Sequence, residues 1–441
     1  MPNTCVMILL DGLGDRAHAE LGHRTPLQAA ETPTLDRLAA MGSVGLYHAG
    51  KLGRPMPSEN AHFAMFGSPS SEFPGRGPLE AMGAGVELGD DAIAMLAHFT
   101  CVLKSLENHL IVKYDRICGT PDEINAYHEA VANYSKNGIA IDLHRTGGMS
   151  SVLTMRGDVS PCITDSNPMA DGRFVSAVRP MASHADDPAA VRTAETLTEY
   201  LRWAYKRLCE VPQNRLRVRQ TLPPINGLVT QRAGRLTRRV SLRDRYGLCG
   251  LSMASGFMYK GLAAFLGMEF RRMRDSRDPA RDMAERVAIA AENINRYDFI
   301  HIHHKAADRA AHTKSPRGKA KAIEALDRGL GEAIGPLLDN EDVLLVVTSD
   351  HSTPSCGPLI HSGEPVPVLF AGSGVRRDAV AVFDEVSVGG GALGLMRGDE
   401  MMHMILNYLD RARMEGTHDS PKAQEFWPGD YDPFLVGPQT D

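Results

Sequence analysis

Three short apolar runs that open into carboxylate and imidazole side chains constrain this chain more than any other feature. "VMILL" leads into Asp11 and Gly12, "FIHIHH" into a segment holding Asp308 and His312, and "VLLVVT" into Ser349, Asp350 and His351. Short apolar runs bounded by turn chemistry read as strands buried on both faces. Amphipathic patterns lie between them: in "GKAKAIEALDRGLGEAIGPLL", Ala320, Ile323, Leu326 and Leu330 recur at helical spacing. Buried strands alternating with amphipathic helices predict an α/β fold, a mostly parallel sheet flanked by helices. In such a sheet, ligands bind outside the carboxyl ends of the strands. The groups after the three runs are therefore expected to converge on one edge.

The middle of the chain reads differently. From about residue 86 to 245 the strand candidates are shorter and arginines denser, most of all in "QNRLRVRQTLPPINGLVTQRAGRLTRR". This predicts a second α/β domain, 86–245, inserted into a discontinuous first domain, 1–85 and 246–441. The closing "EFWPGDYDPFLVGPQTD" is expected to be irregular. With 441 residues, 43% apolar and 23% charged, the chain can bury a large core without disulfide staples. Its seven cysteines are scattered with no CxxC, which reads as reduced thiols and a cytoplasmic location. A net charge of −6 with intermixed signs argues against nucleic acid as a partner. No apolar run reaches the roughly 20 residues of a spanning helix, so no membrane partner is expected either.

Imidazole and carboxylate together suit Zn, Mn or Fe more than Ca, and a carboxylate-rich set also admits Mg. Each residue has a plainer explanation. Asp11 can be a turn or cap residue, and Asp308 and His312, spaced i,i+4, can lie on a solvated helix face. His301, His303 and His304 can be strand histidines with no role. An Asp-His pair after a strand, followed ten residues later by His361, is less common, and three such endings at three strands favour the metal reading. Ser58, between Pro57 and a helical pattern, reads as an N-cap. A hydroxyl at a helix start also faces oriented N–H groups, which would stabilise a phosphoryl group carried there.

Taken in order, "ILLDGLGDR", "TPLQAAETPTLDRLAAMGSVGL", "SENAHFAMFG", "GRGPLEAMGAGVEL", "KAADRAAH", "VTSDHSTP" and "HSGEPVPVLFAG" resemble the alkaline phosphatase superfamily. Within it the chain is similar to the archaeal-type, cofactor-independent (2,3-bisphosphoglycerate-independent) phosphoglycerate mutases. The insert carries the likeness through "TAETLTEYL" and "VPQNRLRVRQTLPPINGLVTQRAG". The resemblance implies an alkaline-phosphatase-like fold and two divalent ions, Mn or Mg, with Zn also admitted. It implies Asp308, His312 and His361 as ligands of one ion and Asp11, Asp350, His351 and Ser58 as ligands of the other. Ser58 would be the nucleophile, and Lys305 would neutralise phosphoryl oxygens unless it is simply a solvated lysine. Arg116, Arg145, Arg217 and Arg232 would grip a small phosphorylated carboxylic acid, with Asp115 positioning hydroxyls. The implied reaction interconverts 3-phosphoglycerate and 2-phosphoglycerate through a phosphoserine.

Most departures fall in the insert. The family's segment near "DRRAGR" is "DRICGT" here, with Ile117 and Thr120 in place of arginines, and its "DTDPH" is "DSNPM", with Asn167 and Met169. Near the nucleophile, Glu59 and Asn60 stand where the family usually has aspartate and threonine. An alternative therefore stays open: a paralogue with the same phosphoserine chemistry, acting as phosphatase, mutase or hydrolase on another phosphoester or phosphonate.

Overall fold

The computed structural model describes residues 2–437 and divides into two compact units. The first comprises Met1–Phe73, Arg239–Gly256 and Leu262–Asp441; the second comprises Pro74–Arg238 and Phe257–Gly261.

The first unit is built on an eight-stranded sheet. Its central strand, Thr4–Leu10, pairs in parallel with Phe299–His304 on one side and Val343–Thr348 on the other. Beyond Phe299–His304 lie Gly250–Ala254 and then Glu269–Arg272, both parallel. On the other flank Val366–Ala371 runs antiparallel to its two neighbours, and Gly394–Arg397 closes the sheet. All three central strands are buried along their whole length, and each such aliphatic side chain contributes about 1.5–3 kcal/mol relative to exposure. The expected amphipathic helix forms over Pro316–Ala333, capped by the Ser315 side chain, with Ala320, Ile323, Leu326 and Leu330 turned to the core.

Register places the chemistry. Leu9 pairs with both His303 and Thr348, and Leu10 pairs with His304. Asp11, Lys305 and Ser349 therefore leave the sheet at nearly one level, at its carboxyl edge. Two helices start there, Ser58–Met65 and Ala306–His312.

The second unit has a six-stranded sheet in which every pairing is antiparallel. Short connections explain this. Between Asn133–Lys136 and Ile139–Gly147, Asn137 and Gly138 both have positive φ (54° and 74°), the requirement of the tight hairpin turn that matches strand twist. Helices Pro121–Val131 and Pro188–Glu210 cover one face of this sheet. Helix Arg76–Ala84, which the sequence reading left with the first domain, packs on this sheet instead. A Cβ at Gly77 would lie 2.1 Å from the Ala94 carbonyl oxygen, so only glycine permits that approach. Residues 425–437 contain no helix or strand, as expected of the tail; 438–441 lie outside the described residues.

Candidate metal centre

Two triads of ligand-type side chains stand at the carboxyl edge of the first unit. Asp308, His312 and His361 form one; Asp11, Asp350 and His351 form the other. Within each, one donor atom per residue lies within 4.8 Å of the others.

The first triad comes from one short helix and one loop. Asp308 and His312 are i,i+4 on Ala306–His312, with His312 Nε2 3.2 Å from Asp308 Oδ1. His361 Nε2 lies 3.9 Å from the same oxygen, while its Nδ1 lies 2.9 Å from the Met56 carbonyl. A carbonyl only accepts, so Nδ1 carries the proton and Nε2 keeps its lone pair toward Asp308. Burial, reinforced by the neighbouring His351, lowers the His361 pKa to about 4 and keeps the ring neutral.

The second triad is buried throughout. His351 Nε2 lies 3.1 Å from Asp350 Oδ2 and 3.7 Å from Asp11 Oδ1. The far oxygens are engaged: Asp350 Oδ1 accepts from the backbone N–H of Gly12 (3.2 Å) and of His351 (3.1 Å), and Asp11 Oδ2 lies 2.9 Å from His303 Nε2. Asp350 Oδ2, by contrast, is buried with no hydrogen bond of acceptable geometry. The rings of His351 and His62, 3.1 and 3.6 Å away, are what face this buried charge, and a divalent cation is the partner this donor set fits. The electrostatics agree. Burial disfavours charge on His351, yet Asp350 and Asp11 push its pKa up to about 9. These carboxylates demand positive charge at the position where a cation would sit.

Ser58 stands beside the second triad. It is not an N-cap: Pro57 occupies that position, and Ser58 is the first helical residue. Its Oγ lies 3.0 Å from His351 Nε2 rather than bonding its own helix. Lys305 Nζ stands 3.2 Å from Asp11 Oδ2 and 3.6 Å from Asp308 Oδ2, so it is no solvated lysine; it touches one carboxylate of each triad.

Several neighbours were not singled out from the sequence as functional. His303 holds Asp11; alternation along Phe299–His304 and its pairing with Leu9 are the signals that could have found it. Thr353 contacts both Asp308 and His351, and His62 Nδ1 lies 2.8 Å from the Ser58 carbonyl and 3.6 Å from Asp350 Oδ2.

The residues expected to grip substrate lie in the second unit and have divided partners. Asp115 Oδ1 lies 2.9 Å from His98 Nε2, and that bond, outweighing burial, lowers the carboxyl pKa. Arg116 is exposed beside Asp115. Arg145, also exposed, donates to Asn125 Oδ1 at 2.7 Å. Arg217 is only 5% exposed, with Nη1 3.0 and 3.1 Å from the two oxygens of Glu123 and Nε donating to the Pro223 carbonyl; it ties its own helix to Pro121–Val131. Arg232 is half-buried at positive φ, its backbone N–H on Asp165.

The Metalloenzyme superfamily model matches residues 3–408. A 2,3-bisphosphoglycerate-independent phosphoglycerate mutase 2 of Methanocaldococcus jannaschii is 39% identical, over 96% of this chain and 97% of that protein. A 2,3-bisphosphoglycerate-independent phosphoglycerate mutase of Methanopyrus kandleri is 36% identical, over 93% and 98%. Among solved structures, the PH0037 protein of Pyrococcus horikoshii aligns with TM-score 0.76 at 27% identity, over 95% of this chain and all of that one. A cofactor-independent phosphoglycerate mutase of Thermoplasma acidophilum aligns with TM-score 0.60 at 27% identity, over 92% and 100%.

Proposed function

Because the chain belongs to the metalloenzyme superfamily, and within it to the 2,3-bisphosphoglycerate-independent phosphoglycerate mutases, we propose that it interconverts 3-phosphoglycerate and 2-phosphoglycerate through a phosphoserine at Ser58. The observation that carries this reading is the Ser58 hydroxyl, 3.0 Å from His351 at a helix start, on the edge that holds both triads.

Asp308, His312 and His361 would hold one divalent ion, and Asp11, Asp350 and His351 the other, with Ser58 Oγ completing the second set. When bound, two such ions lower the pKa of the serine hydroxyl and neutralise charge on the transferred phosphoryl group. The chain's own residues do the rest. Ser58 Oγ forms a bond to phosphorus as the bond to the C3 oxygen of glycerate breaks; the serine gives up a proton and the departing oxygen takes one. The retained glycerate then turns its C2 hydroxyl to the phosphoserine. The C2 oxygen bonds phosphorus and gives up its proton as the bond from Ser58 Oγ to phosphorus breaks, Ser58 Oγ takes a proton back, and 2-phosphoglycerate leaves. Lys305, which balances Asp11 and Asp308, would meet phosphoryl oxygens. Backbone N–H groups at the start of Ser58–Met65 favour negative charge on the serine. In the second unit Arg116, Arg145 and Arg232, with Asp115, are the proposed substrate-binding groups.

A second reading has one observation in its favour. Glu123 commits Arg217, and Ile117 and Thr120 stand where the family carries arginines, so the cations for a phosphorylated acid are fewer. On that reading the same serine acts on another phosphoester or a phosphonate. Turnover of 3-phosphoglycerate by Mn-loaded protein, coupled to enolase and followed by phosphorus NMR, decides between them. Formation of 2-phosphoglycerate supports the mutase. Its absence, with release of phosphate from other phosphoesters, refutes the mutase and favours the second reading.

A further inference from the structure

Besides Lys305, a hydroxyl lies between the two triads and belongs to neither. Thr353 Oγ1 donates to Asp308 Oδ1 at 3.0 Å and lies 3.1 Å from His351 Nδ1. A hydroxyl has a single proton, and a carboxylate oxygen can only accept. With that proton on Asp308, Oγ1 can pair with His351 only by accepting from Nδ1–H. The imidazole tautomer is thereby set, and Nε2 is the nitrogen left facing Asp350, Asp11 and Ser58.

The threonine is itself held in place. Its N–H donates to the Gly14 carbonyl at 2.9 Å. Its carbonyl accepts from Lys319 Nζ at 2.9 Å, and that fully buried ammonium also donates to the Gly14 carbonyl at 2.8 Å and to Asp15 Oδ2 at 3.1 Å. The lysine thus pins the loop after Thr4–Leu10 to the loop after Val343–Thr348. Gly12, at φ +66°, covers the hydroxyl so closely that a Cβ there would stand 2.6 Å from Thr353 Oγ1 and 2.8 Å from Asp308 Cβ.

We propose that Thr353 is a positioning residue that couples the two cation pockets, one hydroxyl orienting a ligand of each. This rests on the two-cation reading above. Partners of metal ligands change metal affinity by about 10–100-fold when removed, and here one removal reaches both pockets.

The test titrates the metal-free protein with Mn alone, by calorimetry and by electron paramagnetic resonance of the paired ions, in wild type, Thr353→Val and Thr353→Ser. Wild type is expected to take two Mn per chain with a spin-coupled spectrum. Thr353→Val should weaken both sites by ~10–100-fold and lose the coupled spectrum, and Thr353→Ser, which keeps the hydroxyl, should restore both. Thr353→Ala serves the same purpose if the valine variant does not fold. A purely structural role would lower the melting temperature of the metal-free protein and leave Mn affinity unchanged; that result overturns the proposal. So does weakening of one site only. A wild type that binds fewer than two Mn overturns the two-cation reading, and this proposal with it.

Discussion

In the first unit, residues far apart along the chain reach one edge because a parallel sheet brings them there: Leu9 sits level with His303 and Thr348, and the residues that follow need travel only a few bonds. In the second unit the candidate residues start from an antiparallel sheet, its loops and a helix, and each finds its own partner: Asp115 with His98, Arg145 with Asn125, Arg217 with Glu123. Parallel topology gathers ligands at strand ends as a consequence of the fold; an antiparallel sheet does so only where side chains outside it are placed one by one. The first arrangement can be inferred from local patterns. The second depends on partners that the chain order does not announce.

The contrast can be broken most sharply at Ser58. Ser58→Ala should keep the fold and two bound Mn but lower mutase turnover by at least ~10⁴-fold, as loss of a nucleophile does elsewhere. Retained turnover, read by the enolase-coupled assay, would mean that the convergence in the first unit does not serve the chemistry.

The second unit is tested by a pair of arginines. Arg217→Ala should destabilise the protein in urea by about 1.5–3 kcal/mol, the range for a charge-assisted bond, with little change in KM. Arg116→Ala should leave stability within about 0.5 kcal/mol, as exposed substitutions do, and raise KM about tenfold, the loss of some 1.4 kcal/mol of binding. The reverse pattern would return Arg217 to the substrate and remove Arg116 from it.

A smaller effect comes from His128, buried in the second unit against the edge of Phe99, with Ser151 Oγ 3.2 Å from its Nε2. Burial, and then the charge of Arg145, lowers its pKa from 6.5 to about 4. The unfolded chain therefore binds a proton that the folded chain refuses between those values. Stability is full above pH 6.5 and falls as pH drops toward 4, by about 2 kcal/mol after allowance for solvent screening. Urea midpoints across that range should show the slope, and His128→Gln should flatten it. An unchanged slope would refute the assignment.

These differences track what was legible in the sequence. The α/β layering, the helix Pro316–Ala333 and the strand ends carrying Asp11, Asp308 and Asp350 rest on local periodicity and were readable. Ser58 was placed one position off: Pro57 takes the cap with an extended backbone (φ −75°, ψ 152°), and the serine moves into the first turn, where its hydroxyl meets His351. Asn137–Gly138 was a readable sign of an antiparallel insert and went unused. The fate of Arg217 was not readable, because nothing near it in the chain points to Glu123, 94 residues away. Thr353 lay within a run already noted for its hydroxyls, yet its double contact depends on Asp308, 45 residues distant.

The central claim is that Asp11, Asp350 and His351, with Ser58, form one cation pocket and that Asp308, His312 and His361 form a second beside it. Anomalous scattering from crystals soaked in Mn reads this directly. The account predicts two peaks, one at coordination distance from each triad, with Ser58 Oγ beside the peak at Asp350. A single peak, or two peaks away from these side chains, would contradict it.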